Sequence, residues 1–139
     1  MVELKRYTIV VIILMSGTMV GDQALTKNHQ NILDRFLNDF VDSNGKVDYN
    51  GISSSFTDID LYFDFIEKIS PNTNPNLFSE PNAEKAFWIN AYNALVIKTM
   101  LEFPTISSIR DIPFYKGVFW KKRFIIGGQK LSLNDIEHG

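Results

Sequence analysis

The chain contains no cysteine in its 139 residues. Within these residues that excludes a disulfide, a thiolate metal site, a cysteine nucleophile and lipid attachment through cysteine. It says nothing of compartment, because a cysteine-free domain folds equally well in reducing or oxidising surroundings. Histidine is almost as scarce. His29 and His138 are the only two; they lie far apart and without thiol partners, so neither a metal nor a cofactor is expected. There is no excess of positive charge either. A net charge of −2 and a pI near 5.6 argue against a nucleic-acid partner, which would call for a basic face. Lys121-Lys122-Arg123 reads as solvated charge flanking a strand, with anion binding the lesser reading. No run of about 20 apolar residues is present, so no confident membrane-spanning helix is expected. Asp42, Asn44 and Asp48 have the wrong spacing for a calcium loop. Counted from Asp42, glycine comes too early and a lysine takes a ligand place, which leaves a plain turn.

What the chain does have is enough apolar material for a core: 45% hydrophobic and 13% aromatic residues. Its length suits one domain, able to bury roughly two-thirds of the unfolded chain's surface. The N-terminus carries a different signal. Lys5 and Arg6 precede the apolar run Thr8 to Met15, and Ser16-Gly17-Thr18 follow it. A basic start, a short apolar core and small residues form the pattern of a secretory leader. Residues 1–24 are therefore expected to be a signal peptide or N-terminal anchor, and residues 25–139 the domain. The expected location is periplasmic or extracellular, with membrane contact only through the apolar N-terminus if it is retained.

Periodicity supplies the elements. Ile32, Leu33, Phe36, Leu37, Phe40 and Val41 make one stripe of an amphipathic helix from about His29, with His29 itself in the linker. Asp42-Ser43-Asn44-Gly45 ends it, and Lys46 to Tyr49 is a short extended segment. Ile59, Tyr62, Phe63, Ile66 and Ile69 mark a second helix. Residues 70–80, with Pro71 and Pro75, read as an irregular loop. Ser79 is expected to cap a long helix with Pro81 in its first turn, ending before Pro104. That helix is apolar almost all round, leaving Lys85, Lys98 and Glu102 as wet positions, and Trp88 and Tyr92 are expected in the core. Residues 106–115 are ambiguous. Trp120 to Ile126 reads as a strand, turned by Gly127-Gly128 into Lys130-Leu131. Ser132 then caps a last helix, with Asp135 completing a weak capping box. The fold class is α+β: a mostly helical single domain with a long central helix and a small β-hairpin.

The long helix carries two asparagines in an apolar stripe. Asn90 and Asn93 share a face with Ala86 and Ile97 at helical spacing. A buried amide is costly unless hydrogen-bonded, so the pair needs a reason. Either they orient a histidine or substrate, as asparagine does in cysteine–histidine–asparagine hydrolases, or they bind loop backbone and fix one packing arrangement. His138 is the candidate general acid–base. Glu137 is its neighbour, although adjacent helical residues point about 100° apart.

The blocks Gly45-Lys46-Val47-Asp48-Tyr49, Ala86-Phe87-Trp88-Ile89-Asn90-Ala91-Tyr92-Asn93, Phe103-Pro104 with Ser108-Ile109, and Phe124 through Gly128 to Leu131-Ser132-Leu133 and Ile136-Glu137-His138 occur in a definite order. The chain resembles, over roughly residues 36 to 139, the domain-of-unknown-function family DUF547. In that family the Ile-Glu-His helix continues into an arginine, then a His-Phe-Ala-Leu-like segment and a cysteine. The resemblance thus implies the N-terminal half of such a domain, incomplete at its C-terminus. It transfers no settled activity, so whether the chain is an enzyme stays open. Three readings follow: an exported hydrolase-like protein using Asn90, Asn93, Glu137 and His138 with a thiol from the other half; a non-catalytic exported binding module of unknown partner; and a truncated inactive remnant.

Overall fold

A computed structural model describes residues 2–3, 22–52, 58–103, 105, 111–112 and 115–138. Among them the chain is mostly helical with two small antiparallel ladders, the α+β architecture the periodicity implies. The elements run β1 (Val2–Glu3), α1 (Asp22–Phe40), β2 (Lys46–Val47), α2 (Tyr49–Ile52), α3 (Asp58–Lys68), a 3₁₀ turn (Pro75–Phe78), α4 (Ala83–Leu101), α5 (Tyr115–Lys121), β3 (Phe124–Ile126), β4 (Gln129–Leu131) and α6 (Leu133–His138). The apolar run Thr8–Met15 lies outside the described residues. Among the described residues no helix is long and apolar enough to cross a membrane.

Helix α1 packs along α3, because each presents one apolar stripe. Leu33, Phe36 and Leu37 of α1 meet Ile59, Tyr62, Phe63 and Ile66 of α3 in the common core. The first helix begins at Asp22, earlier than its stripe suggests, so His29 is helical and not in a linker. Its ring stacks on Phe65 with centroids 4.1 Å apart. On the outside, Arg35 Nε donates to Asp58 Oδ2 at 2.8 Å. That places a carboxylate in the first turn of α3, where the helix dipole favours it. Val41 leaves the helix for an isolated bridge with Val47.

The turn after α1 is built by Asp42. Its Oδ1 accepts the N–H groups of Asn44 and Lys46, at 2.8 and 2.9 Å, and Gly45 takes the positive φ of 75°. These bonds to the charged form hold the Asp42 carboxyl below its ordinary value. The carboxylate is occupied in closing a turn.

Between α3 and α4 the segment is more ordered than its prolines suggest. Ser70 is fully buried. Its carbonyl accepts the Asn74 N–H at 2.8 Å, and its hydroxyl lies 3.1 Å from that of Thr73. Helix α4 starts differently from the expectation. Ser79 ends the 3₁₀ turn instead of capping α4, and Pro81 stands before the helix. Glu80-Pro81-Asn82-Ala83 is a type II turn: the Ala83 N–H reaches the Glu80 carbonyl, and Asn82 sits at φ 68°, ψ −1°. Proline suits the second place of that turn and asparagine tolerates the left-handed third. Proline also bars the preceding residue from helical geometry, which keeps Ser79 from opening the helix.

Helix α4 is the centre of the fold. Ala86, Phe87, Ala91, Ala94, Leu95, Val96, Ile97 and Met100 are buried on several of its sides. Buried Thr99 returns its hydroxyl to the Leu95 carbonyl at 2.8 Å, so it brings no unsatisfied group. Lys85 and Glu102 are exposed. Lys98 is half-buried, its ammonium 4.5 Å from the Phe63 ring centroid. Tyr92 is buried, and Trp88 packs partly buried against the core, edge-on to Phe87.

The expected strand from Trp120 is shorter than its alternation suggests. Tyr115–Lys121 is helical and only Phe124–Ile126 is extended, pairing Phe124 with Leu131, Ile125 with Lys130 and Ile126 with Gln129. Helix α5 packs against α6, a tertiary contact that outweighs the local alternation. Gly127 and Gly128, at φ 54° and 75°, make the tight hairpin turn. Their N–H groups donate to Ile66 and Glu67 of α3, each at 2.8 Å. The turn therefore satisfies carbonyls that the end of α3 leaves open.

Candidate functional site

Helix α6 packs on both α4 and α5, which brings the element bearing Glu137 and His138 against the element bearing the asparagines. A reciprocal cap fixes its start. The Ser132 N–H donates to Asp135 Oδ2 at 2.9 Å, and the Asp135 N–H to the Ser132 hydroxyl at 3.1 Å. Arg123 adds an ion pair to the same carboxylate. Chiefly through the Ser132 backbone bond, the Asp135 carboxyl is held below its ordinary value. Leu133 is fully buried and Ile136 packs on the core, so α6 is anchored at its first turns. Glu137 and His138 stand exposed at its far end.

Helix α4 distributes its amides unequally. Asn90 is half-buried. Asn93 is 6% exposed, and its Nδ2 is buried without a hydrogen-bond partner. An unmade bond of this kind costs about 1–3 kcal/mol, whereas an apolar side chain of similar shape would remove the cost. The packing alternative, in which both amides hold loop backbone, is not what Asn93 Nδ2 does here. Among the described residues no hydrogen bond joins Asn90, Asn93, Glu137 and His138 to one another. The structure thus brings the two helices together without forming an asparagine–histidine pair.

A second buried polar group escaped attention in the sequence. The Tyr49 hydroxyl, on α2, is also buried without a partner. Burial pushes its ionisation well above the ordinary tyrosine range, so it is a neutral phenol. Its signal was present in Gly45-Lys46-Val47-Asp48-Tyr49, but a tyrosine beside an apolar stripe looks like ordinary core. Tyr62 is raised too, first by burial and then by the charge of Asp34. No group of three or more histidine, aspartate or glutamate residues able to hold a metal occurs among the described residues.

Residues 76–139 match the family described as "Protein of unknown function, DUF547". The match covers α4, α5, the hairpin and α6, and with them all four candidate residues. It begins at Asn76, so the Gly45–Tyr49 block lies outside it. No curated protein and no solved structure matches the chain.

Proposed function

We propose, from the partial DUF547 domain over residues 76–139, that this is an exported protein whose helices α4 and α6 carry the polar half of a hydrolase-like site. Asn93 supplies the carrying observation. A donor kept nine-tenths buried and unbonded on an apolar helix is destabilising unless it meets an acceptor in the working state. A substrate carbonyl or a histidine ring nitrogen is the acceptor such an amide would take. His138 would move the proton, with Glu137 and Asn90 carried on the same pair of packed helices. The chain contains no cysteine, so the thiol of a cysteine–histidine–asparagine arrangement would come from outside residues 1–139. Export rests on Lys5, Arg6 and the apolar run Thr8–Met15.

The test is Asn93→Leu in the protein as its own cells make it. Expected is a variant at least as stable as the wild type, with hydrolysis of activated ester and amide probes lost. Hydrolysis that survives Asn93→Leu, in a variant still folded, refutes the role of the amide. Intact mass by compartment tests export: a loss of roughly 2 kDa, the mass of a typical leader, is expected in the exported fraction. The second reading, a non-catalytic binding module, draws on the exposure of His138 and its lack of a bond to Asn93. It predicts that His138→Ala leaves partner binding intact.

A further inference from the structure

The acidic balance of the whole chain hides one basic segment. From Tyr115 to Leu131 the sequence has five Lys or Arg residues and no Asp or Glu, in a chain whose net charge is −2. This segment is α5, the connector and the hairpin. It also holds two of the three large hydrophobic side chains that stand exposed among the described residues: Trp120 at 56% and Ile125 at 37%. The hairpin divides its residues by face. Phe124 and Ile126 are buried in the core, while Ile125 pairs across the ladder with Lys130, so these two project together on the outer face.

Two cations of the segment are engaged. Lys122 pairs with Glu102 and lies over the Phe124 ring, and Arg123 pairs with Asp135. Lys121 and Lys130 are exposed, and neither makes an ion pair among the described residues. Trp120 and Lys121 are consecutive at the end of α5, four to five residues before Ile125. An exposed tryptophan, an exposed isoleucine and two free lysines, with no acidic residue in the segment, fit one kind of surface. Tryptophan settles at the level of lipid headgroups, and lysines nearby are drawn to anionic ones.

We propose that α5 and the hairpin form a membrane-facing patch, with Trp120 and Ile125 entering the headgroup layer and Lys121 and Lys130 engaging anionic lipid. The proposal does not depend on any activity of the asparagine-bearing helix. It holds the folded domain against a bilayer independently of the apolar N-terminus.

The experiment is co-sedimentation of the full chain with phosphatidylcholine vesicles, with and without 30% phosphatidylglycerol. The N-terminal apolar segment is common to every variant, so differences between variants report the patch. Partitioning onto the anionic vesicles is expected to fall about fivefold for each lysine removed in Lys121→Gln and Lys130→Gln, and to weaken with added salt. Trp120→Ala should weaken it on both vesicle types. Brominated lipid should quench the wild type and spare Trp120→Phe, whose remaining Trp88 packs on the core. Both lysines and Trp120 are exposed, so the variants are expected to keep the wild-type circular dichroism. Unchanged partitioning of the double-lysine variant overturns the proposal. So does equal quenching of wild type and Trp120→Phe, or tighter binding to a single-stranded oligonucleotide than to the anionic vesicles.

Discussion

Replacing Gly127 by alanine, with Gly128→Ala as the control, tests the junction between α3 and the hairpin. Both glycines have positive φ, so an added side chain meets left-handed strain of about 1–2 kcal/mol at either place. Alanine also lowers the entropy of the unfolded chain, which returns roughly 0.4–1 kcal/mol. At Gly128 nothing lies within 4 Å of the added carbon, so the net cost should stay near 1 kcal/mol. At Gly127 the carbon would collide with the Ser70 hydroxyl oxygen and stand 2.7 Å from both Ser70 Cβ and Thr73 Oγ1. Ser70 is fully buried and tied to Thr73, so it has little room to yield. Overpacking of this kind costs about 1–3 kcal/mol. A displaced turn also stretches the bonds to Ile66 and Glu67, each contributing about 0.5–1.5 kcal/mol. The sum for Gly127→Ala is about 3–7 kcal/mol, or a melting temperature lower by something over 10 °C in a domain of this size. Urea unfolding followed by circular dichroism measures both variants. If the two alanine variants unfold within about 1 kcal/mol of each other, the close contact of the hairpin turn with Ser70 and Thr73 is wrong.

Ser132→Ala removes the hydroxyl that starts α6 and should cost about 1 kcal/mol, read as a lower urea midpoint with an unchanged slope. Asp42 and Asp135 both ionise more easily when folded than a free aspartate, whose pKa is about 3.9. Their stabilisation is therefore complete above that pH and lost as pH falls through their lowered folded values. A urea-midpoint titration below pH 4 should be shallower in Asp42→Asn and Asp135→Asn than in wild type. Asp34 is the opposite case, because burial raises its folded value. Asp34→Asn should gain stability at neutral pH, where the wild-type carboxylate is charged, and that gain should vanish in acid.

The helices α1 and α3 were legible because each needs only one buried face, and one face leaves a stripe of period 3.6 in the residues. The hairpin was legible because Gly127-Gly128 permits the turn geometry it adopts, and the cap of α6 because Ser132 and Asp135 interact within one turn. What misled was the contest between neighbours. Trp120 alternates with Phe124 and Ile126, yet packing of α5 against α6 made its segment helical. Pro81 suits a helix start as well as it suits a type II turn, and Asn82, able to hold a positive φ, decides between them. At the candidate site, Asn93 stood out as an amide in an apolar stripe. Tyr49 did not, since a buried hydroxyl without a partner depends on contacts far along the chain.

The bonds from Gly127 and Gly128 to the end of α3 set a schedule for the newborn chain. The carbonyls of Ile66 and Glu67 leave the ribosome about sixty residues before the amides that will satisfy them, a delay of roughly 3–12 s at ordinary synthesis rates. Through that interval α3 lacks its final cap, and Ser70 waits without the close neighbour that later packs over it. The end of α3 cannot lock until the hairpin of β3 and β4 is made. Closure of the end of α3 is therefore a late event, governed by residues made about sixty positions after the helix it completes.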